Sequence, residues 1–170
     1  FDGQHTLAAR ITRNGGHLKV RCKVYYGLTK EQEALLFAEQ TGHAAKPTPA
    51  NRLRARLYAG EKEAVAFKEA TESAGFILDL AGSRSKHHIH CINTALAMFR
   101  RAKADCYKEA LGILTMAWDG APDSLLNEVI IAVVEFVRIY GGKYNSRVLI
   151  ELLKSRDPRE ISRRIQADFD

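Results

Sequence analysis

Several features that would define a functional class are scarce in this 170-residue chain. There are only three cysteines, Cys22, Cys91 and Cys106, and their odd number and wide spacing favour reduced thiols in a cytosol over a disulfide framework. The longest apolar run covers residues 129–134, far short of the roughly 18 residues of a membrane span. The sequence shows no signal-peptide pattern, internal repeat or low-complexity tract. We therefore expect a cytoplasmic protein with no membrane partner.

The composition is that of an ordinary globular protein with a basic excess. Hydrophobic residues make up 46% of the chain and charged residues 27%, and the length suits one domain, or part of one joined to a small second one. A formal net charge of +6 favours an anionic partner, with nucleic acid as the first candidate. The excess is modest and no helix-turn-helix is recognisable, so we expect DNA binding to be weak, electrostatic and lost at physiological salt.

The opening letters FDGQHT are typical of a strand end that turns through Gly3 into a helix. Such a turn aims free backbone N–H groups and a helix N-terminus at one spot, which suits a phosphate. Asp2, Gln4 and His5 add polar side chains at the same place. The alternative from the residues alone is that Asp2 simply caps the helix. We predict a helix that begins near residues 3–5.

The letters DGQH, followed by Leu-Ala-Ala, resemble the Asp-Gly-Gln-His-Arg signature of the ParB/sulfiredoxin-like superfamily. In ParB partition proteins the equivalent turn grips nucleotide phosphates. ParB-like domains continue with a strand and a helix that ends in Glu-Asn. Here a strand candidate at residues 17–26 precedes a helix candidate at residues 29–41, which closes with Glu39-Gln40. The resemblance covers residues 1 to about 55.

The resemblance implies a nucleotide- or DNA-associated protein of a bacterial chromosome or mobile element. It implies nucleotide or phosphate contacts from both motifs: Asp2, Gly3, Gln4, His5, Thr6 and Gln40. Thr6 stands where the signature has a basic residue. Glu39 matches a Glu near the nucleotide and its Mg²⁺, so the alternative is a nucleotide hydrolase, kinase or nuclease with Glu39 as the catalytic acid–base or metal residue. A sulfiredoxin-type reductase is excluded because no cysteine occupies the turn.

ParB-like domains carry several strands and a helix upstream of this turn, so the chain is expected to be an N-terminally truncated fragment, inactive by itself. The resemblance implies a nucleoside triphosphate with Mg²⁺ for the full-length protein and no cofactor for the fragment. Residues 17–26 alternate apolar and basic side chains with the period of a strand, yet few other strands are available to pair with it. We expect self-association or a separate N-terminal fragment to complete the sheet.

The rest of the chain has the periodicity of helices. Residues 43–49 form a linker, and helices are predicted at residues 50–58, 62–74, 92–103, 105–118, 122–140, 146–154 and 158–167, with a short strand at 76–80. The predicted fold is α+β, mainly α. Residues 1–46 form the C-terminal part of a ParB/sulfiredoxin-like α/β domain, and residues 47–170 form an α-helical bundle.

Two further clusters have less specific patterns. His87, His88, His90 and Cys91 are residue types that bind Zn²⁺, but no second cluster lies at metal-site spacing, so a basic loop is favoured and no metal is predicted. The basic groups at residues 84–103 and 159–164 fit either phosphate contacts or solvated helix faces. A helical interaction module without a ligand is the third possible function.

Overall fold

The computed structural model describes residues 4–13, 19, 21, 23–39 and 47–167, and nothing is stated about the side chains of residues 4–6. Over these residues the chain is mainly helical, as predicted, with eight α-helices and one two-stranded sheet. The helices are α1 (Gln4–Arg13), α2 (Lys30–Ala38), α3 (Pro49–Tyr58), α4 (Lys62–Ser73), α5 (Ile92–Trp118), α6 (Asn127–Tyr140), α7 (Ser146–Lys154) and α8 (Pro158–Ala167). The strands are β1 (Ile77–Leu78) and β2 (His88–Ile89).

Helix α6 contributes a broad apolar face to the core. Its apolar side chains recur every three to four residues, and this spacing places one continuous face against α5 and α8. The buried members of that face are Val129, Ile130, Val133, Val134 and Val137. The broad apolar face predicted for this helix is confirmed, whereas the helix with the most buried residues is α5. Among the described helices, none combines the length and the hydropathy that a bilayer crossing needs.

The chain reverses direction inside α5, at Lys103, whose φ of 62° and ψ of 168° are not helical. The rings of Phe99 and Tyr107 lie 5.7 Å apart, although a straight helix would separate residues eight apart by about 12 Å along its axis. Residues 92–102 and 104–118 are therefore two helical halves, which agrees with the two helices predicted there. The first half runs parallel to α6, since Thr94 contacts Asn127 and residue 101 contacts residue 135.

The sheet consists of two parallel strands, with Ile77 paired to His88 and Leu78 to Ile89. The strand predicted at residues 76–80 is thus confirmed only at residues 77–78, and β2 was not predicted. Phe76, which precedes β1, is buried in the core. Asp79, which follows β1, turns the chain by accepting backbone hydrogen bonds from the next residues. The Asp79 N–H still donates to the Ile89 carbonyl at 2.9 Å, and beyond it the N–H groups of residues 81–84 donate to the Asp79 carboxylate instead of to β2.

Two predicted elements were wrong. The strand at residues 17–26 is not observed at residues 19, 21 and 23–26, and Val24 is 58% exposed rather than part of a buried face. The physical reason is that the described residues supply no partner strand to satisfy its N–H and C=O groups. The helix predicted at residues 122–140 is a 3-10 turn, Pro122–Leu125, followed by α6, because Leu126 has an extended ψ of 154°.

Helix α2 begins as predicted at a capping box. The Thr29 hydroxyl accepts a hydrogen bond from the Gln32 N–H (3.3 Å), and the Thr29 N–H donates to the Gln32 side chain (2.9 Å). The helix ends at Ala38 with Glu39 as its C-cap, three residues before the predicted end. It lies against α3 but has no buried residue.

Candidate phosphate-binding groove

Two adjoining cavities meet at the N-terminus of α5 and together form a groove, here named the α5 groove. The first cavity has a volume of about 590 Å³ and the second about 530 Å³. Pro49, Ile92 and Asn93 line both of them, so the start of α3 and the start of α5 lie between the two. Cavities of this size are typical of small-molecule sites.

The first cavity lies where both parallel strands end. Asp79 follows β1 and His90 follows β2, and both residues line the cavity. In open α/β sheets, ligands bind in this position, outside the carboxyl ends of the strands. The sheet here is very short, yet it brings a loop and a helix N-terminus together in the same way.

Three helix N-termini lie at the first cavity. The first turns of α3 and α5 line it, as does Asn127, the first residue of α6. Cys91, the N-cap of α5, makes no capping hydrogen bond with its side chain, and the N–H groups of Asn93 and Thr94 have no acceptor among the described residues. Free N–H groups at the positive end of a helix dipole attract an anion.

The N-termini of α5 and α6 lie side by side. The Thr94 hydroxyl donates to the Asn127 side-chain oxygen over 2.7 Å. At the other end of the pair, Arg101 Nε lies 2.8 Å from Glu135 Oε1. Because the two helices are parallel here, their positive ends add at the cavity rather than cancel.

Asp79 organises the loop that forms one wall of the first cavity. Asp79 is a buried residue, and its carboxylate accepts hydrogen bonds from the N–H groups of Ala81, Gly82, Ser83 and Arg84 at 2.7 to 3.2 Å. Burial alone would raise the pKa of Asp79, but these backbone donors outweigh it and lower the pKa to about 2. The ionised carboxylate therefore fixes the loop and places the exposed Arg84 at the cavity rim.

The second cavity is lined by charged side chains. An ion-pair network holds one side, in which Arg56 pairs with Glu61 and Glu63, and Arg100 pairs with Glu63. Hydrogen bonds from Arg100 and Arg56 lower the pKa of Glu63 to about 2. Arg100 is thus an exposed arginine of the cavity wall that is already ion-paired with Glu63. The lining residues Arg52 and Glu39 make no ion pair within the described part of the chain.

The predicted site residues are only partly placed. Glu39 lines the second cavity, at the C-terminal end of α2. Gln4, His5 and Thr6 are the first residues of α1, so the helix begins where it was predicted to begin. Asp2, Gly3 and Gln40 lie outside the described residues.

Sequence reasoning missed Asp79 and Asn93, whereas Arg84 belongs to the basic group at residues 84–103 that was considered for phosphate contacts. The signal for Asp79 was present, because an acidic residue between a short apolar strand and the small residues of Ala81-Gly82-Ser83 is typical of a turn that uses side-chain hydrogen bonds. Asn93 contributes through its backbone N–H and its position. Only the tertiary contact between α3 and α5 reveals that role.

The histidine cluster is dispersed in the structure. The His87 ring lies 5.2 Å from the ring of Phe76, the His88 ring nitrogen lies 2.9 Å from the Ser83 hydroxyl, and His90 lines the first cavity. Within the described residues, no three His, Cys, Asp or Glu side chains are grouped so as to hold a metal ion. Burial raises the pKa of the Cys91 thiol to about 12, so this cysteine is an unreactive residue packed against the core.

The fold and the groove define a mainly α-helical protein with an uncapped helix N-terminus in an open, partly basic cleft. Residues 1–169 match the model of a family of unknown function, DUF6551, and the chain belongs to that family. No curated protein and no solved structure matches it.

Proposed function

We propose that this protein is a ParB-like, nucleotide- or DNA-associated protein that binds phosphate groups in the α5 groove. The observation that carries the proposal is the meeting of the free N–H groups of Asn93 and Thr94 with two basic side chains, Arg84 and Arg52, in adjoining cavities. Backbone donors at a helix N-terminus with arginines on either side form a phosphate-binding arrangement.

The charge of the groove supports a phosphate over a carboxylate or a neutral ligand. In the first cavity Asp79 is already satisfied by four N–H groups, which leaves Arg84 as the charge at the rim. In the second cavity Arg52 has no ion-pair partner among the described residues. A phosphate chain bound across the start of α5 contacts both arginines and the free N–H groups between them.

The resemblance to ParB-like proteins supports a nucleotide as the source of these phosphates. Under this proposal Asp2, Gly3, Gln4, His5, Thr6 and Gln40 add nucleotide contacts to those of the groove. Mg²⁺ accompanies a nucleoside triphosphate, and Glu39 fits such an ion because it is an exposed carboxylate in the cavity with no ion pair among the described residues. Glu39 would hold the metal directly or through water.

A second candidate is catalysis on the same phosphates, as a nucleotide hydrolase, kinase or nuclease. The observation that favours it is the presence of Glu39 and two arginines, Arg52 and Arg100, in one cavity. Glu39 would accept the proton of an attacking hydroxyl or water, and Arg52 would stabilise the charge that develops on the phosphoryl oxygens.

Titration of the ¹⁵N-labelled chain with inorganic phosphate and with a nucleoside triphosphate tests the proposal. We expect the largest amide shifts at Asn93, Thr94 and Arg84. Replacing both arginines (Arg52→Ala with Arg84→Ala) should weaken binding about tenfold or more, since hydrogen bonds to charged groups contribute roughly 1.5 to 3 kcal/mol.

The control is Arg147→Ala, an exposed arginine at the start of α7 that lines neither cavity. Shifts confined to residues outside the groove, or equal losses in the control, would overturn the proposal. Glu39→Gln separates the two candidate functions. If the variant still binds the nucleoside triphosphate but no longer releases phosphate from it, catalysis is supported. If phosphate release is the same in the variant and the parent chain, or is undetectable in both, binding alone is supported.

A further inference from the structure

We propose that an exposed basic and aromatic stretch before α2 binds single-stranded nucleic acid. The stretch, here named the basic–aromatic segment, consists of Lys19, Arg21 and residues 23–26 as far as the structure describes it. It lies outside both cavities of the α5 groove and has a different chemistry. Binding at this surface is independent of the phosphate site in the groove.

The aromatic side chains of the segment are unusually exposed. Tyr26 is 87% exposed and Tyr25 is 48% exposed. Neither ring packs on another aromatic ring within the described residues. A tyrosine ring in water lacks the burial that normally stabilises it, so the Tyr26 ring in particular is available to a ligand.

The basic side chains of the segment alternate along the chain. Lys19, Arg21 and Lys23 are all exposed, and the ion pairs of the described structure all lie between residues 56 and 164. The Lys23 ammonium lies 5.2 Å from the centre of the Tyr25 ring, which places a positive charge beside an aromatic face. Positive charge and open rings are therefore presented together.

This combination favours a single strand over a duplex. Bases stack on an exposed tyrosine only when they are free of their own stack, while the phosphates between them pair with alternating lysines and arginines. In a duplex the base faces are covered, so the rings have no partner there. Charge complementarity selects nucleic acid as the occupant, because no acidic residue lies in the described part of the segment.

Fluorescence anisotropy with a labelled twelve-nucleotide thymidine strand tests the proposal, with a duplex of equal length as comparison. The variant Tyr26→Leu keeps an apolar side chain but removes the ring, and Tyr26→Phe keeps the ring. The matched control is Tyr58→Leu, at a tyrosine that is 61% exposed at the end of α3. Both positions are exposed, so the fold should be retained in all three variants.

We expect Tyr26→Leu to weaken single-strand binding about tenfold, in line with one lost stacking contact. Tyr26→Phe and Tyr58→Leu should stay within about twofold of the parent chain. The logarithm of the binding constant should fall with the logarithm of the salt concentration at a slope of about −2, for three phosphate contacts. Replacing Lys19, Arg21 and Lys23 by Gln should flatten that slope.

Three results would overturn the proposal. The first is equal affinity for the single strand and the duplex, with no effect of Tyr26→Leu. The second is an equal loss of single-strand affinity in Tyr26→Leu and Tyr58→Leu. The third is a dimer, detected by light scattering, that dissociates in Tyr26→Leu while the chain binds no oligonucleotide. The third result would identify a second copy as the occupant. The phosphate titration of the groove is a separate measurement, since Tyr26→Leu leaves Arg52 and Arg84 in place.

Discussion

Residues 4–39 and residues 47–167 differ in how their side chains are used. In the second region the core is dense, with large side chains such as Phe67, Tyr107 and Ile130 fully buried. In the first region none of the described side chains is buried, and Tyr26, Phe37 and Ile11 are left in contact with solvent. Burial of apolar surface is the main source of stability. Residues 47–167, here named the helical region, therefore carry most of the folding free energy.

The charges follow the same division. Residues 1–46 contain 7 basic and 4 acidic residues and residues 47–170 contain 19 and 16, so each region has a net charge of +3 although the first is much shorter. In the helical region the charges are paired across helices, as in the network around Glu63. In the described part of the first region they face solvent. The first region therefore offers the denser anion-binding surface, and the second offers the rigid cavity.

The largest expected effect tests this division of stability. Phe67→Ala, at a fully buried ring, should lower the free energy of unfolding by about 3 to 5 kcal/mol. Phe37→Ala, at a ring that is 38% exposed on α2, should lower it by about 1 kcal/mol or less. Urea unfolding followed by circular dichroism measures both. Similar losses in the two variants would show that α2 belongs to the same core.

The next effect concerns the loop that forms the wall of the first cavity. The pKa of Asp79 is about 2 in the folded chain, below its ordinary value of 3.8, so ionised Asp79 stabilises the fold above about pH 4 and this contribution is lost as the pH falls towards 2. Asp79→Asn should therefore lower the free energy of unfolding by about 2 kcal/mol at pH 7. The difference from the parent chain should shrink between pH 4 and pH 2.

Asp105→Asn is the control, because the Asp105 side chain is 98% exposed. We expect no measurable change in its stability at either pH. Denaturant unfolding at pH 7, 4 and 2 measures all three chains. If the free energy of unfolding that Asp79→Asn loses stays constant with pH, the shape of the side chain, rather than the charge on the carboxylate, holds the loop.

Much of the helical region followed from the sequence because local signals agree with tertiary packing there. The apolar face of α6 and the two separate helices on either side of residue 104 were predicted from the sequence pattern. In the first region, the cap at Thr29 was predicted from side-chain chemistry. The strand at residues 17–26 was wrong because alternation describes a face that could be buried, whereas pairing requires a neighbour. Whether a second strand lies beside it depends on the tertiary structure.

The groove was less predictable than the fold. Glu39 was singled out through a family resemblance, and the structure places it in a cavity. Arg52 and Arg84 are 32 positions apart in sequence, and no periodicity links them. They lie along one groove only because α3 and the loop after β1 both pack at the start of α5. Long-range convergence of this kind leaves no local pattern.

The smallest expected effect compares two caps of similar geometry. The Thr48 hydroxyl accepts from the Asn51 N–H at 3.2 Å, and the Thr29 hydroxyl accepts from the Gln32 N–H at 3.3 Å. Helix α3 buries Leu53 in the core, so Thr48→Ala should lower the global free energy of unfolding by about 1 kcal/mol. Helix α2 buries nothing, so Thr29→Ala should change that quantity by less than half as much and instead speed amide hydrogen exchange within α2. Equal global losses would contradict the division, because a cap affects the stability of the whole core only when its helix unfolds together with that core.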